Sequence, residues 1–228
     1  MNMASMPIES AEYRRAREEL LAAERALIDQ REAVAALRRA LPPGRLVETD
    51  YVFREGPAQL GDGADEATFE TKFSDLFAAG KDDLIVVHLM FGANAESACP
   101  MCTMWADGYD GVAHHVADKT NLVLVARADI AALRAWARGR GWRRLRLLSS
   151  RDNDFNRDFG VEQSADDQYP GVSVFRRQPD GVIRHVYTSE GSLVYQHHRA
   201  LDLFTPVFNL FDLLPDGRGD WMPRTSYG

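Results

Sequence analysis

Between Asp82 and Gly92 the chain reads DDLIVVHLMFG, an apolar and largely β-branched run in which His88 is the one polar member between Leu84 and Phe91. A strand with one solvated face alternates apolar and polar residues. An unbroken run belongs to a strand covered on both faces, as in the middle of a parallel sheet. NLVLVARA, from Asn121 to Ala128, is a second run of this kind, and RRLRLLSS, from Arg143 to Ser150, is a third strand candidate. Between the last two lies DIAALRAWARGRG, a helical pattern that Asp129 can cap at its start and glycines end. Strands alternating with helices require a parallel sheet with layers on both sides.

Downstream, GVSVFRRQ and GVIRHVYT alternate in the manner of half-buried strands and are joined through PDG, a hairpin signal. DNDFNRDFG before them reads as a polar loop with aromatic pins. A final helix is expected from about His197 to Phe211, followed by the tail LPDGRGDWMPRTSYG. Upstream, RLVETDYVF reads as an extended piece, and Phe69, Phe73, Leu76 and Phe77 give 68–79 a helical pattern. The first segment, Glu9 to Leu41, predicts a long helix. Tyr13, Ala16, Leu20, Ala23, Leu27, Val34, Leu37 and Leu41 recur at spacings of three and four, with Gln30 as the one interruption, and PPG stops it. Two partners for this stripe remain open: the protein's own domain, or a second copy in a dimerisation coil. The expected organisation is a helical extension over 1–44, an α/β domain over 45–215 and a tail over 216–228.

The chain of 228 residues carries a formal net charge of -7, which excludes the basic footprint of a dedicated nucleic-acid binder. Arg134, Arg138, Arg140, Arg143, Arg144 and Arg146 form one local basic stretch, read as a solvated helix face and an edge strand, with an anionic partner as the alternative. MNMASMPIES has neither the basic nor the apolar segment of a secretory signal, and no apolar run is long enough to span a bilayer. The expectation is a cytoplasmic protein with no membrane partner.

The only two cysteines, Cys99 and Cys102, stand in SACPMCTMWADG, directly after the first buried run. In a reducing compartment a lone C-x-x-C is redox-active or metal-binding rather than structural. Its position is the carboxyl end of a central strand at the start of a helix, where α/β sheets place their sites. Unpaired backbone N–H groups and the positive end of the helix dipole stabilise a thiolate there, and Pro100 suits the first turn. The residue at the helix start, Cys99, is then the nucleophile. Cys102, one turn deeper, resolves the mixed disulfide. A structural zinc site wants four ligands, and here there is no second C-x-x-C. His114 and His115 could approach only if the helix broke at ADGYDG. His88 reads as a hydrogen-bonded core residue, and Trp105 as a cover for the dithiol or a core anchor. No cofactor or metal is expected.

At CPMCTMWADGYDG the chain resembles a bacterial thioredoxin-like family of unknown function labelled "predicted dithiol-disulfide oxidoreductase". LIVVHLMFG, GWRRLRLLSS, DNDFNRDFGV, PGVSVF and ALDLFTPVFNLFDLLPDGRGD carry the same resemblance, from about Ala11 to Asp220. It implies a thioredoxin-like α/β fold and carries over Cys99 and Cys102 as the redox pair. In such folds a cis-proline before the hairpin strand lies against the dithiol and helps to hold the substrate. Pro170, after Tyr169, is the one proline placed for that role, with Trp105 as a second candidate for substrate contact. The additional strand before DNDFNRDFGV resembles the peroxiredoxin variant of the fold. Peroxiredoxins surround their cysteine with P-x-x-x-T-x-x-C, where this chain has Gly92 and Glu96, so peroxidase ranks below disulfide exchange. The third reading is a metal-binding or redox-sensing module. The implied partners are a protein or small-molecule disulfide, thioredoxin or glutathione as electron donor, and a second copy of the chain.

Overall fold

The computed structural model describes residues 10–60, 67–189, 205–216 and 219–227. It forms two compact units, Met1–Pro42 and Pro43–Gly228.

The first unit is one helix, α1 (Ala11–Arg39). Ser10 caps it by accepting the Tyr13 N–H, with Arg38 and Arg39 in its last turn. Both ends thus complement the helix dipole. No residue of α1 is buried. Tyr13, Leu20, Leu27 and Leu37 are more than half exposed.

The second unit is built on one seven-stranded sheet. Its strands are β1 (Val52–Glu55), β2 (Phe69–Lys72), β3 (Asp83–Leu89), β4 (Asn121–Ala126), β5 (Arg146–Ser149), β6 (Gly171–Arg177) and β7 (Ile183–Thr188), in the order β2-β1-β5-β4-β3-β6-β7. The three apolar runs lie side by side in the middle. β3 pairs parallel to β4, and β4 parallel to β5. The crossovers are α2 (Pro100–Lys119) and α3 (Ile130–Arg140), the latter capped by Asp129 and ended by Gly141 at φ 74°. The β6–β7 hairpin adds antiparallel to β3. A parallel β3–α2–β4 unit with an antiparallel hairpin on the free side of β3 is the thioredoxin-like fold. The α3–β5 crossover and the β1–β2 hairpin extend its sheet at the far side.

Period-two alternation divides the sheet into two cores. Val87 and Leu89 of β3, Leu124 and Ala126 of β4 and Leu147 of β5 face α2 and α3. Leu84, Val86, Val123, Val125 and Leu148 face an aromatic layer of Tyr51, Phe53, Phe73, Phe155, Phe159 and Phe175. Phe155 and Phe159 lie in and after α4 (Phe155–Asp158), so the polar segment is pinned by its aromatics as expected.

Several expectations are corrected. Residues 68–79 are not a helix: β2 is followed by a 3₁₀ turn, Phe73–Leu76. In that stretch Thr71, not Phe69, points inward, and its hydroxyl bonds the Glu55 carboxylate across the β1–β2 pair at 2.7 Å. β5 is not an edge strand, because β1 returns to pair antiparallel with it. Nor is the arginine stretch wholly solvated. Arg146 forms two hydrogen bonds to Glu55, at 2.7 and 2.9 Å, and Arg134 is buried with its guanidinium on the carbonyls of Pro57 and Gln59. Helix α2 runs unbroken through Gly108 and Gly111. Of the expected last helix, His197 and His198 lie outside the described residues, and α5 (Val207–Phe211) is its described part.

Candidate functional site

Strand β3 ends at Leu89, and the chain makes one loop before α2 begins. The Cys99 N–H bonds the Met90 carbonyl at 2.9 Å, which fastens the start of α2 to the end of β3. Cys99 is the N-cap and Pro100 occupies the first turn, where an N–H would have no acceptor. The Cys99 carbonyl takes the Thr103 N–H and hydroxyl, both at 2.9 Å, and the Trp136 indole donates to that hydroxyl at 3.3 Å. The helix start is therefore held from α3 as well as from β3.

Both thiols are free, Cys99 half-buried and Cys102 buried at 2% exposure. The environment separates their acidities. Cys99 is lowered to about 6, first by the hydrogen bond from the Cys102 thiol and then by the backbone N–H groups of Cys102 and Met101, against the opposing effect of burial. Cys102 is raised, because it donates that bond, is buried, and would ionise beside a thiolate. At neutral pH Cys99 is thus the more acidic thiol of the two, while Cys102 stays protonated. Arrangements of this kind activate the first thiol of C-x-x-C pairs.

The other candidates fall into place around the pair. Trp105 has no exposed surface and belongs to the core beneath α2. It is a core anchor, and the expectation that it touches substrate is corrected. Pro170 is buried immediately before β6, whose first residue, Gly171, pairs with His88 on β3. It therefore lies at the dithiol end of the sheet. No peptide bond among the described residues is cis, so Tyr169–Pro170 is trans, against expectation. The trans form is the ordinary state of an X-Pro bond, and the Tyr169 N–H before it is bonded to the Val161 carbonyl at 2.8 Å.

Two carboxylates flank the motif. Asp107 accepts from Arg140 and from the Trp142 indole, and Glu96 is exposed. His88, 1% exposed, shares a 2.8 Å hydrogen bond with Ser173 on the opposite face of the sheet. Burial lowers its pKa to about 3, so it is a neutral core residue, as expected. His114 and His115 sit on unbroken α2, His114 about 18 Å along the axis from Cys102. Among the described residues, no three His, Cys, Asp or Glu side chains are grouped to hold a metal.

Sequence reasoning missed Thr103, Trp136 and the loop that flanks the dithiol. Thr103 stands four residues after Cys99, a helical spacing that could have singled it out. The loop could not be found in this way. A side chain on Gly92 would place its Cβ 2.9 Å from the Asp166 Cα, a close approach between segments more than 70 residues apart.

A thioredoxin-like protein with an acidity-split dithiol at a helix start is the class defined by fold and site. Residues 3–227 match the family model described as "Bacterial protein of unknown function (DUF899)", and the chain belongs to that family. Among solved structures, a peroxiredoxin aligns over 65% of this chain and 83% of its own, at 11% identity and a TM-score of 0.48. Plasmodium falciparum antioxidant protein, a 1-Cys peroxiredoxin, aligns over 64% and 83%, at 11% identity and a TM-score of 0.49. Enterococcus faecalis AhpC aligns over 72% and 95%, at 16% identity and a TM-score of 0.44. No curated protein matches the sequence. No helix among the described residues is long and apolar enough to cross a membrane.

Proposed function

We propose that the protein is a thiol–disulfide oxidoreductase of a reducing, cytoplasmic compartment, with Cys99 as nucleophile and Cys102 as resolving thiol. The observation that carries this reading is the asymmetry of the pair: a half-buried thiol lowered to about 6 beside a buried thiol that is raised and bonded to it. The Cys99 thiolate attacks one sulfur of a substrate disulfide, forming Cys99–S–S–R and releasing one thiolate, which takes a proton from solvent. Cys102 then gives up its proton and attacks the Cys99 sulfur, closing the protein disulfide and releasing the second thiol. Two electrons pass to the substrate, and an external thiol such as thioredoxin or glutathione restores the pair. The direction in vivo follows from the reduction potential of the pair against its compartment.

A trapping experiment tests the assignment. Cys102→Ser, mixed with glutathione disulfide, accumulates one mixed disulfide at Cys99, seen by mass spectrometry. Cys99→Ser accumulates none. Trapping at Cys102 in Cys99→Ser reverses the roles, and absence of any adduct in either variant removes the reading. Rapid hydrogen peroxide consumption by the wild type would favour a peroxidase instead. Against that alternative, Gly92 and Glu96 provide no hydroxyl three residues before Cys99 to orient a peroxide.

A further inference from the structure

Two segments that lead into the site are bonded to each other. The loop from Gly92 leads into Cys99, and the segment from Val161 to Tyr169 leads into Pro170. Between them, the Ala93 N–H bonds the Ala165 carbonyl at 2.9 Å. The Asp166 carboxylate takes the Asn94 N–H at 2.8 Å and its side-chain amide at 2.9 Å. The Ala93 carbonyl is also taken, by the Arg151 guanidinium at 2.7 Å. Within the second segment, the Tyr169 N–H goes to Val161, the Gln163 N–H goes to Asp167 at 2.9 Å, and Glu162 bridges Gln168. Gly92 has no room for a side chain against Asp166, so the two segments are in close contact as well as bonded.

An extended protein chain that docks through its main chain needs an edge of free N–H and C=O groups on the host segment. Beside this dithiol, Ala93 offers neither group and Tyr169 has no free N–H. A small disulfide needs no such edge, only access to the half-buried Cys99 sulfur. We propose that the dithiol takes low-molecular-weight disulfides and excludes extended protein chains, because the protein's own loops, latched through Asn94 and Asp166, fill the edges on which a chain would dock. This rests on the reading of the pair as redox-active. The reaction is R–S–S–R plus the Cys99–Cys102 dithiol, giving two R–SH and the Cys99–Cys102 disulfide.

The test uses full-length, pre-reduced protein freed of reductant, mixed with hydroxyethyl disulfide, with glutathione disulfide, or with insulin. Protein oxidation is followed by mass spectrometry, and each rate is divided by that of dithiothreitol with the same disulfide, which removes differences in intrinsic reactivity. The expected normalised rate is at least ~10-fold higher for the two small disulfides than for insulin, and Asp166→Ala, which releases the Asn94 N–H and amide and so unlatches the two segments, narrows that ratio by at least ~3-fold. A wild-type rate with insulin equal to or above that with the small disulfides overturns the proposal, as does a ratio unchanged in Asp166→Ala. Both of those outcomes leave the dithiol reading standing. Oxidation by none of the three removes that reading itself, and the proposal with it.

Discussion

At the scale of residues, the distinctive property is a thiolate made by its neighbours. The nucleophilic form of Cys99 is the deprotonated one, so its alkylation rate rises with pH, and the midpoint is expected at about 6. The largest cause is the bond donated by Cys102. Cys102→Ala removes that donor and moves the midpoint upward, so the variant alkylates more slowly than wild type at pH 6. Iodoacetamide kinetics against pH, read by mass spectrometry at each cysteine, check both statements. Tyr109 yields a second prediction. Its hydroxyl is buried with no hydrogen-bond partner, and burial followed by the charge of Cys102 raises its pKa. Since an unpartnered buried hydroxyl costs stability, Tyr109→Phe is expected to leave the melting temperature unchanged or raise it. A clear fall in a thermal melt would refute this. Cys99 and Cys102 were legible in the sequence because their chemistry is local: a spacing of three, a proline between them and a strand before them. Asn94 and Asp166 were not, because their partnership exists only once β6 has folded back beside β3.

At the scale of elements, the aromatic layer holds the far face of the sheet. Phe155 sits at its centre, fully buried, with Phe53 at 5.1 Å, Phe159 at 4.9 Å and Phe73 at 5.4 Å between ring centroids. Phe155→Ala should cost about 3–5 kcal/mol. Because the layer is separated from α2 by the sheet, the folded variant should keep the Cys99 alkylation midpoint of wild type. Denaturant titration and the pH profile measure the two separately. The central strands were legible because a run such as LIVV is buried by any parallel sheet. β2 was not: Phe69 is 47% exposed, while Phe73, Leu76 and Phe77, which supplied the apparent helical period, are buried from a 3₁₀ turn and the residue after it. The place of β5 was hidden for a related reason. Its inner position depends on β1, more than 90 residues earlier, and on the Glu55–Arg146 pair, which neither residue's neighbours announce.

At the scale of the whole molecule, the chain separates into a helix and an α/β unit that contains every residue of the site. A chain beginning at Pro43 is expected to fold and to keep the pH midpoint of Cys99. Circular dichroism together with alkylation kinetics reports the outcome, and a lost or shifted midpoint in a folded protein would contradict it. Such a truncation also removes Tyr13, Leu20, Leu27 and Leu37, whose exposure in the single chain was not legible from their spacing, since the same stripe suits several partners. The division of the sheet into two cores has an optical consequence. Trp105 and Trp142 lie in the α2–α3 core, and Trp136 and Trp221 pack against it. These are the chain's four tryptophans, while the opposite core contains phenylalanines and Tyr51. Emission excited in the indole band therefore arises from the dithiol side of the sheet alone. Closing the Cys99–Cys102 disulfide, within the core that holds Trp105, can be followed by this emission without a label, while loosening of the phenylalanine side passes unseen at the same wavelength.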